Sequence, residues 1–305
     1  MKKGIHFALA LALISGVSIF LNSFAVKQIP NAFFFTTAKN LIVAFLLVAL
    51  LILFKRFGEI KKLSKKDWIF LILLGLVGGS IPFLLFFKGL SVSIAAAING
   101  AFIHKTLFIW VALLALIFLK ERFSIFQYFA LLIILSGIYL MGGLKSIHFG
   151  RGEILIILAT LLWSAEAILA KKILKNIDFQ IAAFGRMFFG SLIMISYLLI
   201  THNLLPVFKL TTNQIEWIII TSLLLLGYVI FYYGALNYTP ATIVTSVLTL
   251  GFPITVILQG IYLGAYSFKQ ILGGTVIITG AILFFLLPKL INKIKKQDLV
   301  PYGRG

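Results

Sequence analysis

Apolar segments long enough to cross a bilayer follow one another along almost the whole chain. A helix needs ~20 mostly apolar residues to span the hydrocarbon core. By that measure the sequence predicts ten spans, at residues 5–26, 31–54, 68–88, 91–119, 125–143, 153–171, 180–200, 215–237, 241–263 and 270–288. Backbone groups in lipid must be hydrogen-bonded within the protein, so the predicted fold class is an all-α polytopic membrane protein. The 61% hydrophobic composition and the mean hydropathy of +1.12 agree with this class.

The second half of the chain repeats the pattern of the first. Residues 86–140 and 232–285 each begin with an aromatic pair, continue as a long apolar run, break at a polar segment and end in a second apolar run. Ten spans in two copies leave five in each copy, and an odd number turns the second copy upside down in the membrane. We therefore predict two five-helix inverted-topology repeats, 1–146 and 147–291, an arrangement common among secondary transporters. Residues 292–305 are predicted as a cytoplasmic tail, partly of artificial origin.

The distribution of Lys and Arg predicts the orientation of the chain. If the N-terminus lies in the cytoplasm, eighteen of these residues fall on the cytoplasmic side and five on the outer side. Because short cytoplasmic loops are enriched in Lys and Arg, we predict a multi-pass protein of the inner or plasma membrane with both termini in the cytoplasm. The net charge of +19 then reflects this orientation and contact with anionic lipid, which argues against nucleic acid as a partner.

Four basic residues and one acid lie well inside the predicted spans, where charged groups usually face a cavity or a partner. Lys105 lies midway along the fourth span and is the predicted binding residue for an anionic substrate, with His104 beside it. Lys39 and Arg186 occupy matching places in the second span of each half. We interpret them as framework residues that bind carbonyl groups of a neighbouring helix, or as members of an internal ion pair. Glu166 is equally a candidate proton carrier or the acid of such a pair.

Other polar, aromatic and proline residues complete the predicted site. The further candidates for substrate binding are Asn99, Trp163, Tyr233, Asn237, Thr245 and Thr249. Pro82 and Pro253 are predicted to interrupt their helices, and nearby threonines can take up hydrogen bonds that a proline frees. We predict no cofactor and no metal site. The expected partners are a small-molecule substrate and the lipid bilayer, with the protein acting as a monomer or a homodimer.

Several segments resemble the EamA-type branch of the drug/metabolite transporter superfamily, and the resemblance extends over essentially the whole chain. The end of the fourth span, Leu119-Lys120-Glu121-Arg122-Phe123-Ser124, is similar to the family's Leu-Gly-Glu-Arg-Leu-Ser pattern. Residues 233–241, with the sequence YGALNYTPA, resemble the family's segment between spans eight and nine. Pro253 matches a proline of the ninth span, and Lys39 and Arg186 match a basic position in spans two and seven. The resemblance implies a central cavity between spans one, three, four, six, eight and nine.

The chain departs from the family pattern in three places. The fourth span has His104-Lys105-Thr106-Leu107 where the family has a proline, Ala265-Tyr266 replaces the second Glu-Arg, and Lys88 stands in place of an alanine. The substrate of a particular family member therefore does not transfer to this chain.

The function predicted is secondary transport. The resemblance implies export, in bacteria, of amino acids, other small metabolites, nucleotide sugars or sugar phosphates. Because basic residues outnumber acids inside the spans, we favour an amino acid or an organic anion, exported or exchanged by alternating access. The alternatives are a sugar-phosphate, nucleotide or drug/cation exporter of the same superfamily, or a channel-like membrane protein. An enzyme is not predicted, because the spans contain neither a zinc-binding motif nor a pair of facing carboxylates.

Overall fold

The computed structural model describes residues 2–94, 96–121, 124–142, 150–203, 209–265 and 267–297, and no strand occurs in these ranges. The long helices are α1 Lys2–Gln28, α2 Ala32–Leu53, α3 Lys65–Val92, α4 Ala96–Leu119, α5 Ile125–Gly142, α6 Arg151–Ile173, α7 Phe179–Ile200, α8 Thr212–Tyr238, α9 Ala241–Leu263 and α10 Phe268–Gln297. A short helix, Phe57–Ile60, lies in the loop between α2 and α3.

The predicted all-α membrane fold is confirmed. Within the described ranges, eight helices are long and apolar enough to cross a membrane. The two other long helices, α5 and α10, have shorter apolar stretches, Ile125–Met141 and Phe268–Phe284. The number of ten spans therefore stays a prediction.

Polar residues in the connecting loops fix where several helices begin. The side chain of Asn31 accepts hydrogen bonds from the first backbone N–H groups of α2. Ser64 and Asp67 form a reciprocal capping box at the start of α3, and Thr211 and Gln214 form one at the start of α8. Such caps satisfy N–H groups that have no partner within the helix. The helix starts are thus encoded locally in short polar segments.

Antiparallel helix pairs join the two halves of the chain. In α1 and α8, the side chain of Gln214 donates to the carbonyl of Gln28 at 2.8 Å, while Lys3 and Tyr238 meet 3.4 Å apart at the far ends of the same helices. We call the end of the bundle that holds Lys3 the N-terminal end, and the other the opposite end. The pair of α3 and α6 packs in the same antiparallel manner, with Gly89 of α3 against the N-terminal turn of α6.

Two further pairs are formed by helices of the same rank in each half. Asn31, at the start of α2, donates to Asn203, just beyond the end of α7, at 2.8 Å. In α5 and α10, Gly137 packs against Gly273, whereas Ile134, one turn earlier, packs against Gly280. The order of contacts along each pair runs in opposite directions. The second helix of each half, and likewise the fifth, is therefore antiparallel to its counterpart.

Three helices are interrupted at mid-depth. In α3, a π-helical turn over Gly75–Ser80 ends two residues before Pro82, which lies in the first turn of the following α-helical segment. In α9, the segments Ala241–Leu248 and Gly251–Leu263 are separate helices, and Pro253 lies in the first turn of the second one. The corresponding break in α4 comes at Thr106 and forms without a proline. The two halves therefore share a break in their fourth helix although only one half carries the proline.

Close contact between α3 and α7 depends on glycine. A Cβ atom added to Gly79 would overlap the carbonyl oxygen of Arg186, and one added to Gly190 would overlap the backbone of Gly79. Small residues of this kind let helix backbones approach each other in membranes, where packing and not hydrophobic burial drives association. The α3–α7 contact is therefore sensitive to a single methyl group.

We expect Gly79→Ala to destabilise the protein, because the added methyl group must push α3 away from α7. Overpacking of this kind costs about 1–3 kcal/mol. The midpoint of thermal unfolding in detergent, followed by tryptophan fluorescence, should fall by several degrees. Gly58→Ala is the matched control, because a Cβ at Gly58 meets nothing within 4 Å. Equal midpoints for the two variants would contradict the proposed role of the contact.

Candidate functional site

A cavity lies at mid-depth in the bundle, where α1, α2, α3, α4, α6, α7 and α8 meet. The space between its lining atoms is about 480 Å³, of which about 50 Å³ is open to the centre of a water molecule. The open part is room for roughly four water molecules. Aromatic rings make up much of the wall, and two basic residues, Lys39 and Arg186, reach it.

The set of helices around the cavity differs from the one that the resemblance implies. Both α2 and α7 contribute a lining residue, whereas α9 contributes none among the described residues. Long basic side chains explain the contribution of α2 and α7, since Lys39 and Arg186 extend from these helices to the centre. The mid-part of α9 packs elsewhere: Phe252 contacts the ring of Phe102 in α4, and Gly251 lies against α1.

Arg186 is the basic residue with the most unused hydrogen-bonding capacity. Its Nη2 donates to the carbonyl of Gly78 at 3.0 Å, and its Nε lies 4.0 Å from Oε1 of Glu166. The residue is 2% exposed, and its Nε and Nη1 have no hydrogen-bond partner within the described ranges. A buried charged donor without a partner is costly. Nη1 is therefore available to an acceptor that enters the cavity, whereas Nε lies beside the carboxylate of Glu166.

Glu166 lies one layer behind the cavity wall. Its carboxylate accepts hydrogen bonds from the hydroxyl of Tyr233 at 2.6 Å and from that of Tyr232 at 3.1 Å. Together with the nearby guanidinium of Arg186, these contacts surround an acid that is 1% exposed. The predicted internal pair of Glu166 and Arg186 is thus a loose one, and the tyrosines supply the hydrogen bonds.

The carbonyl of Gly78 joins three helices. It lies in the π-helical turn of α3 and accepts from the indole Nε1 of Trp163 as well as from Arg186, each at 3.0 Å. A Cβ atom at Gly78 would lie 2.5 Å from the side chain of Glu166. The turn therefore provides an acceptor for α6 and α7, and glycine leaves the space that their side chains need.

Lys39 has no carboxylate partner among the described residues. Its ammonium group donates to the side-chain oxygen of Asn22 and lies 4.3 Å and 4.8 Å from the ring centroids of Phe87 and Phe35. Aromatic faces attract a cation, more strongly when water is excluded. Lys39 is therefore held by an amide and two rings. The alternative that Lys39 belongs to the ion pair of Glu166 does not match these contacts.

Lys105 lies behind the cavity wall and not in it. Its ammonium group donates to the hydroxyl of Ser15 at 2.6 Å and packs against Gly251, close to the break in α9. Ser15 lines the cavity, and so does His104. Successive residues of a helix point about 100° apart, so His104 and Lys105 cannot both face the centre. The predicted direct contact of Lys105 with a substrate does not match this position.

His104 and Trp163 are the predicted binding residues that do line the cavity. Their rings lie 5.3 Å apart in an edge-to-face arrangement. The Nδ1 atom of His104 is buried and has no partner in the described part of the chain. An unpaired ring nitrogen in a cavity wall can hydrogen-bond a bound molecule.

Five other predicted binding residues lie outside the wall: Asn99, Tyr233, Asn237, Thr245 and Thr249. Asn99 donates to Glu153 at 3.1 Å, in the N-terminal turn of α6. Tyr233 binds the acid behind the wall, as described above. Thr245 and Thr249 donate to main-chain carbonyls of their own helix. A polar residue in a span thus often satisfies the backbone or a neighbour.

The sequence analysis missed a polar strip on α1. Ser15, Ser18 and Asn22 line the cavity, and the amide of Asn22 donates to the carbonyl of Ser18 at 2.7 Å. These residues follow one another at intervals of three and four, which places them on one helix face. That spacing within an otherwise apolar span is a readable signal. Tyr228, which also lines the cavity, has no comparable signal in the sequence.

Comparison with known proteins identifies the family. The model of the EamA-like transporter family matches residues 2–143 and 150–286. The chain belongs to the EamA-like transporter family. No curated protein matches it significantly. Among solved structures it is similar to one titled "Crystal structure of protein", with a TM-score of 0.73 and 14% identity over 95% of this chain and 99% of that one. At this identity the likeness concerns the fold alone.

In each EamA repeat, a lysine at the end of the first helix joins that helix to the end of the third helix of the same repeat. At the N-terminal end, Lys171 at the end of α6 donates to the carbonyls of Leu236 and, at 3.0 Å, Thr239 at the end of α8. At the opposite end, Lys27 at the end of α1 donates to the carbonyl of Ser93, after α3, at 3.4 Å. The same contact therefore occurs in each repeat, but it is longer at the opposite end.

The acidic contacts at the two ends are not equivalent. At the N-terminal end, Glu121 accepts from the backbone N–H of Ala241 at 3.0 Å and from the hydroxyl of Thr242 at 2.6 Å, which holds α4 against the start of α9. The second EamA repeat has an alanine in place of that glutamate. At the opposite end Glu153 instead accepts from the hydroxyl of Ser93 at 2.7 Å. An acid from another helix thus contacts the segment that leads into α4.

We expect Trp163→Phe to lower the free energy of unfolding by about 1 kcal/mol, the typical net contribution of one hydrogen bond. The substitution keeps an aromatic ring beside His104 but removes the donor to the carbonyl of Gly78. Reversible unfolding in mixed micelles measures the change. The control is Trp68→Phe, since Trp68 makes an edge-to-face ring contact with Phe189 that phenylalanine can keep. The prediction is wrong if both variants lose the same stability.

Proposed function

We propose that this EamA-family protein is a secondary transporter for a small organic anion, with the central cavity as its substrate site. The observation that carries the proposal is the buried guanidinium of Arg186: the residue lines the cavity, and no described residue accepts from the N–H donors of its Nη1. A carboxylate is an acceptor-only group whose geometry matches a guanidinium. An amino acid or organic acid bound through its carboxylate would satisfy these donors.

The dimensions and charge of the cavity favour this class over the alternatives. Its open part of about 50 Å³ favours a small metabolite over a sugar nucleotide. Two basic side chains in the wall repel a cationic drug. A channel requires a continuous aqueous path, whereas aromatic side chains surround this cavity. Each of these features supports a carrier for a small anion.

The antiparallel pairing of counterparts supports the inverted repeat of ten spans. Two equivalent helices run antiparallel when the axis that relates them lies perpendicular to both, which means in the plane of the membrane. The pairs α2–α7 and α5–α10 meet this condition. Lys and Arg are in excess on the side of the N-terminal end. We therefore propose that this end and both termini lie in the cytoplasm, and that the protein resides in the inner or plasma membrane.

The contacts at the two ends support alternating access. At the N-terminal end Lys171 bonds the carbonyl of Thr239 at 3.0 Å, and Glu121 joins α4 to α9 at 2.6 Å. At the opposite end Glu153 accepts from Ser93 at 2.7 Å, but the bond of Lys27 is longer, at 3.4 Å. A second cavity, with about 300 Å³ open to the centre of a water molecule, lies at the opposite end between α1, α4 and α9. We propose that substrate reaches the centre from this side in the present conformation. Opening of the cytoplasmic side would then require release of the α4–α9 contact.

In this proposal Glu166 is the acid of an internal ion pair and not a proton carrier. It does not line the cavity, and two tyrosines and one arginine surround its carboxylate. A proton carrier must exchange protons with water during the cycle, and this carboxylate is 1% exposed. Transport by exchange of one anion for another requires no such step.

We expect Arg186→Gln to lower exchange of carboxylate substrates at least tenfold, since the charged donor is lost. The assay is counterflow of radiolabelled L-alanine, L-glutamate and succinate into proteoliposomes. Uptake in the parent protein should saturate with concentration, as a carrier requires. Arg186→Lys should recover part of the activity because it keeps the charge.

Lys88→Gln is the matched control, because Lys88 lies on α3 outside the cavity wall and contacts the ring of Phe33. It should leave the exchange rates unchanged. Undiminished exchange in a monodisperse Arg186→Gln sample would refute the substrate site. Uptake that never saturates would favour the channel-like alternative.

We expect Glu121→Gln to weaken the closure of the cytoplasmic side, because an amide accepts less strongly than a carboxylate. The chain contains no cysteine, so a single Leu225→Cys, in the cavity wall, reports access directly. Its reaction with a membrane-impermeant thiol reagent from the cytoplasmic side should accelerate several-fold in the Glu121→Gln background. Glu59→Gln, which alters an exposed loop pair with Arg56, is the control. Equal rates in the two backgrounds would contradict the closing role of Glu121.

A further inference from the structure

Lys39 and Arg186 reach the same cavity from opposite ends of the bundle. Each is the eighth residue of its helix, since α2 begins at Ala32 and α7 at Phe179. These helices are counterparts in the two repeats and pack antiparallel. Lys39 therefore extends from the opposite end and Arg186 from the N-terminal end. The cavity has one basic group on each side of its centre.

The charges around the cavity are unbalanced. Three buried basic residues, Lys39, Lys105 and Arg186, are each at most 2% exposed, and Glu166 is the buried acid beside them. Arg186 is the basic residue within 4.0 Å of that acid. In the described part of the chain, Lys39 and Lys105 have an amide and a hydroxyl as hydrogen-bond acceptors and no carboxylate. Buried charges without a counter-ion are unfavourable in a membrane. The formal charges of these four groups leave an excess of two positive charges.

We propose that the substrate carries two anionic groups, one bound by Arg186 and the other by Lys39. The substrate class is a short dicarboxylate, including an acidic amino acid. The inference rests on the proposed function, which requires one carboxylate at Arg186, and adds a second anion subsite. An ammonium group has three donors, and Asn22 takes one of them from Lys39. The rings of Phe83, Phe86 and Trp163 line the cavity and would contact the carbon chain between the two carboxylates.

The test compares two ligands that share a four-carbon chain and differ by one carboxylate, succinate and butyrate. Binding to the full chain in lipid nanodiscs is measured by titration calorimetry. We expect succinate to bind at least tenfold more tightly than butyrate. Lys39→Met keeps an unbranched side chain that is one atom shorter and removes the charge. It should therefore weaken binding of succinate about tenfold and leave binding of butyrate unchanged. Arg186→Gln should weaken both ligands.

Two further variants make the result specific. Lys88→Met, the same substitution outside the cavity wall, should keep the preference for succinate. Lys39→Arg keeps the charge and should also keep the preference, which separates loss of charge from loss of packing if Lys39→Met folds poorly. Binding of L-glutamate and L-glutamine gives a second pair that differs by one charge.

The outcomes distinguish the second subsite from the proposed function. If succinate and butyrate bind equally and Lys39→Met alters neither, the second subsite is refuted while the anion site at Arg186 stands. If neither carboxylate binds and exchange is insensitive to Arg186→Gln, both proposals are refuted. A tenfold preference for succinate that disappears in Lys39→Met and survives in Lys88→Met supports the dicarboxylate.

Discussion

A charged guanidinium at the centre of a membrane protein needs hydrogen-bond acceptors and a counter-charge from neighbouring helices. The packing of α3, α6, α7 and α8 provides them for Arg186. The π-helical turn of α3 presents the carbonyl of Gly78, which would otherwise be used within a regular helix. Gly79 and Gly190 let α3 and α7 approach closely enough for the bond. Glu166 of α6 supplies the counter-charge, and two tyrosines of α8 orient it. The π-helical turn, the close contact of α3 with α7 and the charge of Glu166 thus all serve to hold the guanidinium of Arg186.

The two repeats share this framework but differ in chemistry. Corresponding lysines tie corresponding helix ends, and the fourth helix of each repeat breaks at mid-depth. The acids do not correspond: Glu121, after α4, bonds the start of α9 at the N-terminal end, whereas Glu153 of α6 bonds Ser93 at the other end. A symmetric backbone with asymmetric charges fits the alternating access that we propose, because the two access states need not be equally stable.

Much of the fold follows from the sequence, whereas the site follows only in part. Span length and the repeat predict the helices, and short motifs such as Leu119–Ser124 carry the resemblance to the family, because these signals are local or periodic. The matched positions of Lys39 and Arg186 also predict that both contact neighbouring helices. The sequence does not reveal that His104 and not Lys105 faces the centre, because helix rotation depends on the break at Thr106 and on packing against α1 and α9. Long-range partners such as Asn99 and Glu153 are equally hidden.

The break in α4 has a mechanical consequence. It forms without a proline, so every residue at the break retains its N–H group and the helix can straighten with a full set of hydrogen bonds. In α9, Pro253 lacks that donor, and the carbonyl four residues earlier would stay unpaired in a straight helix. One repeat therefore contains a hinge that can close and the other a permanent bend. The two corresponding breaks thus differ in stiffness, and straightening α4 leaves fewer backbone groups unpaired than straightening α9.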